Sequence, residues 1–277
     1  MERHVQQRRF GFTLVELLVV IGIIVVLVAL LMPTLSKARS HALEVKCAAN
    51  LRSIGQALTM YTQQYGFYPG CSAGEIAVWP PRLRAFLKDN GAFHCPVQDE
   101  RSEWRMAGPA PGGIAGAGMT KYGYEEGEPL IHIRFTFFSY GYNKWGTGGP
   151  GESMMPGRGS GEQHLGLGDL VNRDPQFSDL HRELRASRVK VPSQMIAVTD
   201  STVDGGMDFA IVPARGPFNL LPSPPWPGRV HRGGANVLFC DGHVQWYVQS
   251  DLLPSHGYTS GSDPQKRRMW NNDNQPH

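Results

Sequence analysis

Residues 12–31 form an apolar run of 20 residues whose only polar members are Thr13 and Glu16. At a rise of about 1.5 Å per residue, a helix of that length covers about 30 Å, the thickness of a bilayer's hydrocarbon core. The start of the chain is therefore a membrane helix, a removed signal or a wholly buried core helix, and the membrane helix is the first expectation. Arg3, Arg8 and Arg9 make a basic start, and Ser36-Lys37-Ala38 reads as a small-x-small cleavage site, as a secretory signal would have. The run is too long for such a signal, and a glutamate is out of place in one. An acid at mid-membrane depth costs about 2.5–3.5 kcal/mol, and less near the interface. Glu16 therefore either snorkels toward the headgroups or meets a partner.

The string "GFTLVELLVVIGIIVVLVALLMPTLSKA" closely resembles the class III signal of type IV pilins and of the pseudopilins of type II secretion systems. The resemblance implies that a prepilin peptidase cuts after Gly11 and that the exposed Phe12 is N-methylated. It also implies that Glu16 pairs with the positive amino terminus of a neighbouring subunit during filament assembly. Pro33 matches the family's helix-bending proline, where a missing backbone donor would kink or loosen the helix. Counting basic residues does not settle the topology, since Arg3, Arg8 and Arg9 on one side face Lys37, Arg39 and Lys46 on the other. The resemblance supplies the orientation: a single pass through the inner membrane with the head in the periplasm.

The expected organisation is a cleaved basic leader (1–11), a transmembrane and polymerisation helix (12–32), an amphipathic continuation (33–66) and an α+β head (67–277). The implied function is a non-enzymatic pseudopilin subunit of a type II secretion-like apparatus. Its implied partners are the peptidase, identical or related pseudopilins in a filament, and inner-membrane assembly proteins of the secretion system. A conventional type IV pilin for adhesion or motility shares the same signal. A membrane-tethered enzyme or metal-binding head is the rival from another class.

Beyond Pro33, apolar residues fall at Leu35, Ala38, Ala42, Val45 and Ala49, then at Leu51, Ile54, Leu58, Tyr61 and Tyr65. These steps of three and four predict one long amphipathic helix lying on a sheet, with a one-residue slip between the two series. Gly66 and the following "YPG" should end it. The stretch "CAANLRSIGQALTMYTQQYGFYP" resembles a bacterial group of pseudopilin-like proteins whose carboxy-terminal region carries a histidine and, after nine intervening residues, an Asp-Gly. Here those are His231 and Asp241-Gly242.

With 33 glycines and 21 prolines, the body should be loop-rich, with surface loops at 107–118 and 146–168. A short helix is expected around 81–88. "IHIRFTFFSYGYN" alternates as a half-buried strand, a second strand should follow at 194–199, and Asp241-Gly242 should turn a type I′ hairpin. The fold class is α+β, an antiparallel sheet packed on the long helix. Cys47, Cys71, Cys95 and Cys240 are too few for a disulfide scaffold and lack zinc-finger spacing. Outside the cytoplasm a Cys71–Cys95 bridge would close one loop, and four free thiols are the alternative.

The formal net charge of +3 is spread thinly, and the longest basic run is residues 266–268, so no nucleic-acid partner is expected. His231, Asp241 and His243, with Asp200 before them, are types that hold a divalent metal, although an aspartate before glycine is also what a hairpin turn requires. By likeness to the calcium site of major pseudopilins, Asp200, Asp204 and Asp208 are the calcium candidates, with a spacing that does not match an EF-hand. The glycine-rich runs "GTGGPG", "GRGSGE" and "GLGDL" lack the context of a phosphate loop or a nucleophile elbow. Trp270 near the end either docks the tail or frays with it.

Overall fold

The computed structural model describes residues 14–73, 76–87, 90–104, 113–132, 136–144, 166–168, 183–206, 208–213, 226–253, 263–271 and 274–275. Gly11 and Phe12 lie outside these residues, as do 107–112, 146–165 and the middle of the expected strand at 133–135. The chain forms two compact units, Met1–Leu43 and Glu44–His277.

One helix, α1 (Leu14–Tyr65), runs through Pro33 without interruption. Pro33 has no N–H to donate, and beside it the Thr34 hydroxyl donates to the Leu31 carbonyl at 2.7 Å. In the first unit the large apolar side chains from Leu14 to Met32 are exposed, the state of a helix whose solvent is lipid. α1 is long and apolar enough to cross a membrane. It ends where Gly66 takes φ +77° and its amide reaches back to the Thr62 carbonyl at 2.8 Å, the left-handed cap that a glycine provides without strain.

The second unit begins inside the helix, at Glu44 rather than at residue 67, because the core starts there. Cys47, Leu51, Ile54, Leu58 and Tyr61 are buried in steps of four, three, four and three. Leu35 and Val45 are exposed, so the earlier apolar series does not continue this stripe. The expected slip is corrected accordingly: one face packs, and it runs through Cys47. Burial of each large aliphatic residue on it is worth about 1.5–3 kcal/mol. At Gly55 an added Cβ would stand 2.7 Å from Leu238 Cδ1, so the missing side chain lets the helix settle onto the sheet.

After the helix, β1 (Ser72–Ala73) pairs antiparallel with β2 (Ile76–Ala77), and α2 (Trp79–Arg84) follows with prolines in its first turn. Pro80 and Pro81 are well placed there, where an N–H has no helical acceptor, which sets the helix slightly earlier than 81–88. The main sheet has the order β5-β3-β4-β6-β7. Its strands are β3 (Tyr140–Asn143), β4 (Ile196–Asp200), β5 (Ala210–Ile211), β6 (Gly234–Phe239) and β7 (Val244–Val248). All neighbours are antiparallel except β3 and β5, which run parallel. The α+β expectation holds, with a mixed rather than purely antiparallel sheet.

Among the described residues, the strand expected over "IHIRFTFFSYGYN" forms only at its end. β3 is buried at all four residues, with Tyr142 stacked on Trp79 on one face and Asn143 donating to the Trp270 carbonyl at 3.2 Å on the other, so it does not show the one-sided alternation expected of it. The hairpin between β6 and β7 is also corrected. Gly242 has φ +92° while Asp241 does not take positive φ, and Gly242 N–H donates to the Phe239 carbonyl at 2.9 Å. The loop therefore has three residues, Cys240, Asp241 and Gly242, with glycine in the left-handed position of a bulge. A two-residue turn with both φ positive does occur, at Arg232 (+51°) and Gly233 (+80°), where His231 and Gly234 exchange backbone hydrogen bonds of 3.0 and 2.9 Å.

The aromatic centre of the head is Trp79. It stacks on Tyr142 at 5.5 Å and meets Phe93 and Phe138 edge-on, and its indole N–H donates to the Phe209 carbonyl at 2.9 Å. The tail docks: Trp270 is fully buried, its indole N–H donates to the Leu252 carbonyl at 2.9 Å, and the Met269 carbonyl accepts from Ile196 N–H at 2.7 Å.

Candidate functional site

Two places carry chemistry. The first is the start of α1. Glu16 lies in its first turn and is the sole acid between residues 12 and 32. An acid in the first turn also complements the positive end of the helix dipole.

The second is a buried cluster between the helix and the sheet of the head. Cys47 and Cys95 are disulfide-bonded, with Cα atoms 5.2 Å apart. The expected pairing of Cys71 with Cys95 is thereby corrected; Cys71 is a buried thiol next to β1. The reason is local. Asn50, three residues after Cys47, donates its side-chain amide to the His94 carbonyl at 2.8 Å, which draws the "FHCP" turn onto α1. Ser139 Oγ holds the same turn by accepting Cys95 N–H at 3.0 Å.

Against the bridge stand His231 and Asp200. His231 Nε2 is 3.4 Å from Cys95 Sγ and 3.6 Å from Asp200 Oδ2. Asp200, the last residue of β4, accepts the Asn236 amide of neighbouring β6 on Oδ2 at 2.6 Å. Its Oδ1 is buried with no hydrogen-bond partner among the described residues. Burial pushes the Asp200 carboxyl up to about 7 against the pull of the Asn236 amide, and burial lowers His231. An ion pair stands near this cluster, its Glu44 carboxylate acting on both Asp200 and His231. Arg232 donates to both oxygens of Glu44 at 2.8 and 2.6 Å and lies 4.7 Å from the Trp246 ring, whose N–H donates to the His231 carbonyl at 2.8 Å.

The remaining candidates separate. Asp241 is in the exposed hairpin loop, where its Oδ1 accepts from His243 N–H at 3.1 Å and lies 2.6 Å from His243 Nδ1. His231 sits at the other end of β6, roughly 17 Å away at 3.3 Å per residue. His231, Asp241 and His243 therefore do not form one constellation, and the nine-residue spacing measures the length of a strand. Asp204 and Asp208 share the loop after β4. Asp208 accepts the Phe138 and Gly205 amides at 3.2 Å each, and Asp204 accepts the Gly206 amide at 2.8 Å. Burial pushes Asp208 up to about 7. Among the described residues Asp200 joins Cys47, Cys95 and His231 instead, while Asp204 and Asp208 accept backbone amides of the loop and, for Asp208, of Phe138. Cys47 was the residue sequence reasoning passed over, although it precedes Leu51 by one helical turn on the packed stripe.

An exposed apolar helix with one acid near its start leads directly into an α+β head. Residues 6–32 match the prokaryotic N-terminal methylation motif. The chain is 28% identical over 109 residues to the type II secretion system core protein G of Dickeya chrysanthemi, covering 38% of this chain and 71% of that protein. No solved structure matches the chain.

Proposed function

We propose that the protein is a pseudopilin, a filament subunit of a type II secretion-like apparatus. It is processed by a prepilin peptidase after Gly11, held in the inner membrane by its apolar helix, and assembled with its head in the periplasm. The single observation that carries this reading is the coincidence of the matched motif at 6–32 with a helix whose apolar side chains are exposed from Leu14 to Met32. Such a surface is satisfied by lipid in the monomer and by neighbouring helices in a fibre. Small losses on leaving lipid are offset by helix packing and by charge pairing in a low dielectric.

In this reading Glu16 accepts the amino group of Phe12 of the next subunit, which sets the axial step between copies. No bond is made or broken in assembly, so the head's task is to present a surface and catalysis is not required of it. The test is Glu16→Gln, co-expressed with the apparatus. The variant is expected to insert, be cleaved and keep its folded head, yet to enter filaments poorly. Normal filament yield from Glu16→Gln would refute the proposal.

A further inference from the structure

We propose that Cys47, Cys95, His231 and Asp200 make a zinc site whenever the two cysteines are thiols, so that the disulfide and the metal are alternative staples at one place. Their four ligand atoms, two sulfurs, one imidazole nitrogen and one carboxylate oxygen, all lie within 4.8 Å of one another. That number and those types suit tetrahedral zinc, which takes thiolate and imidazole with carboxylate as a permitted fourth ligand. All four residues are buried, which is the condition of a closed structural site.

An independent observation points to a ligand. Asp200 is fully buried, and one of its oxygens has no hydrogen-bond partner among the described residues. A buried carboxylate normally has its oxygens satisfied, and in the reduced state a cation held by the two thiolates and His231 would satisfy this one. The second layer is also in place. Asn236 N–H orients the other oxygen of Asp200, and the turn at Arg232-Gly233, with the Trp246 bond to the His231 carbonyl, fixes the histidine.

The chemistry balances as follows. A dithiol reductant transfers two electrons and two protons to the bridge, becoming a disulfide itself and leaving thiols at Cys47 and Cys95. Zinc then displaces both thiol protons to solvent and binds the two thiolates, His231 Nε2 and the Asp200 carboxylate. With the bridge closed, the sulfurs are spent on each other and only two ligands remain, too few to hold the ion. The bridge thus ties α1 to the turn at Cys95, and the metal would tie both to the sheet through His231 and Asp200.

The test uses the full-length protein in detergent, reduced in denaturant and refolded with zinc under a phosphine reductant, then freed of loose metal by gel filtration. Elemental analysis should find one zinc per chain in the reduced protein and at least tenfold less in the bridged protein, an expectation of about that size from the loss of both sulfur ligands. Cobalt in place of zinc should give the visible absorption of a tetrahedral site and a thiolate charge-transfer band. His231→Ala and Asp200→Asn should each weaken zinc binding by at least about 10–100-fold, the loss typical even of outer-shell changes. Three results would overturn the proposal: no zinc retained by the reduced protein, equal zinc in a Cys47→Ala/Cys95→Ala variant, or a reduced chain that zinc fails to fold as judged by circular dichroism.

Discussion

Replacing both bridging cysteines by alanine opens a loop of 48 residues between Cys47 and Cys95. In the chain-entropy treatment a loop of that length is worth about 14 cal/mol/K, or about 4 kcal/mol at 25 °C. The bridge ties the packed half of α1 to the turn leading into the head, so its loss acts on the whole second unit, Glu44–His277. A unit of that size has an unfolding entropy of roughly 0.5 kcal/mol/K, so the melting temperature should fall by about 8 °C. The assay is calorimetry of the full chain in detergent, without reductant and with metal chelated. Cys71→Ala is the control: it removes a buried thiol that closes no loop and should cost only about 1 kcal/mol. If the double variant melted within about 2 °C of the wild type, or Cys71→Ala cost more, the assignment of the bridge as the head's main cross-link would be wrong.

Asp200 and Asp208 are both pushed up to about 7 by burial. Between about pH 4 and pH 7 the folded state therefore binds more protons than the unfolded one, and stability falls as pH rises through that window. His231, lowered by burial, works in the opposite sense, losing stability below about pH 6.5, but it is one group against two. Thermal melts should thus show a more stable head near pH 5.5 than near pH 8, with the difference reduced by more than half in Asp200→Asn, since His231 still opposes the remaining carboxyl. A melting temperature that rises over that range would contradict the assignment. Trp270→Ala should destabilise the head by about 3–5 kcal/mol, because a fully buried indole is lost along with its bond to Leu252; urea unfolding that moved by less than about 1 kcal/mol would mean that the tail frays.

The long helix with its apolar start and its end at Gly66 were legible because length, hydropathy and a glycine cap are local properties. The type of turn at Asp241-Gly242 was not, because its identity depends on whether two or three residues separate the paired strands, a matter of register between β6 and β7. Asp-Gly serves either case. Cys71 and Cys95 flank one loop and invited a pairing by proximity in sequence. The true partner of Cys95 was decided by Asn50 and Ser139, which pull a distant turn onto α1. β3 was misplaced for a related reason: Trp79 covers one of its faces and the Trp270 segment the other, and alternation disappears when both faces are covered. His231 and Asp200 were legible as chemical types, but their company was not, since the cysteines beside them come from other parts of the chain.

The central claim is that the apolar helix begins a processed filament subunit, and the mass of the mature chain from the native host tests it most directly. The account predicts a protein that has lost residues 1–11 and starts at Phe12 with one added methyl group. An intact Met1, or a chain starting after Ala38, would contradict it.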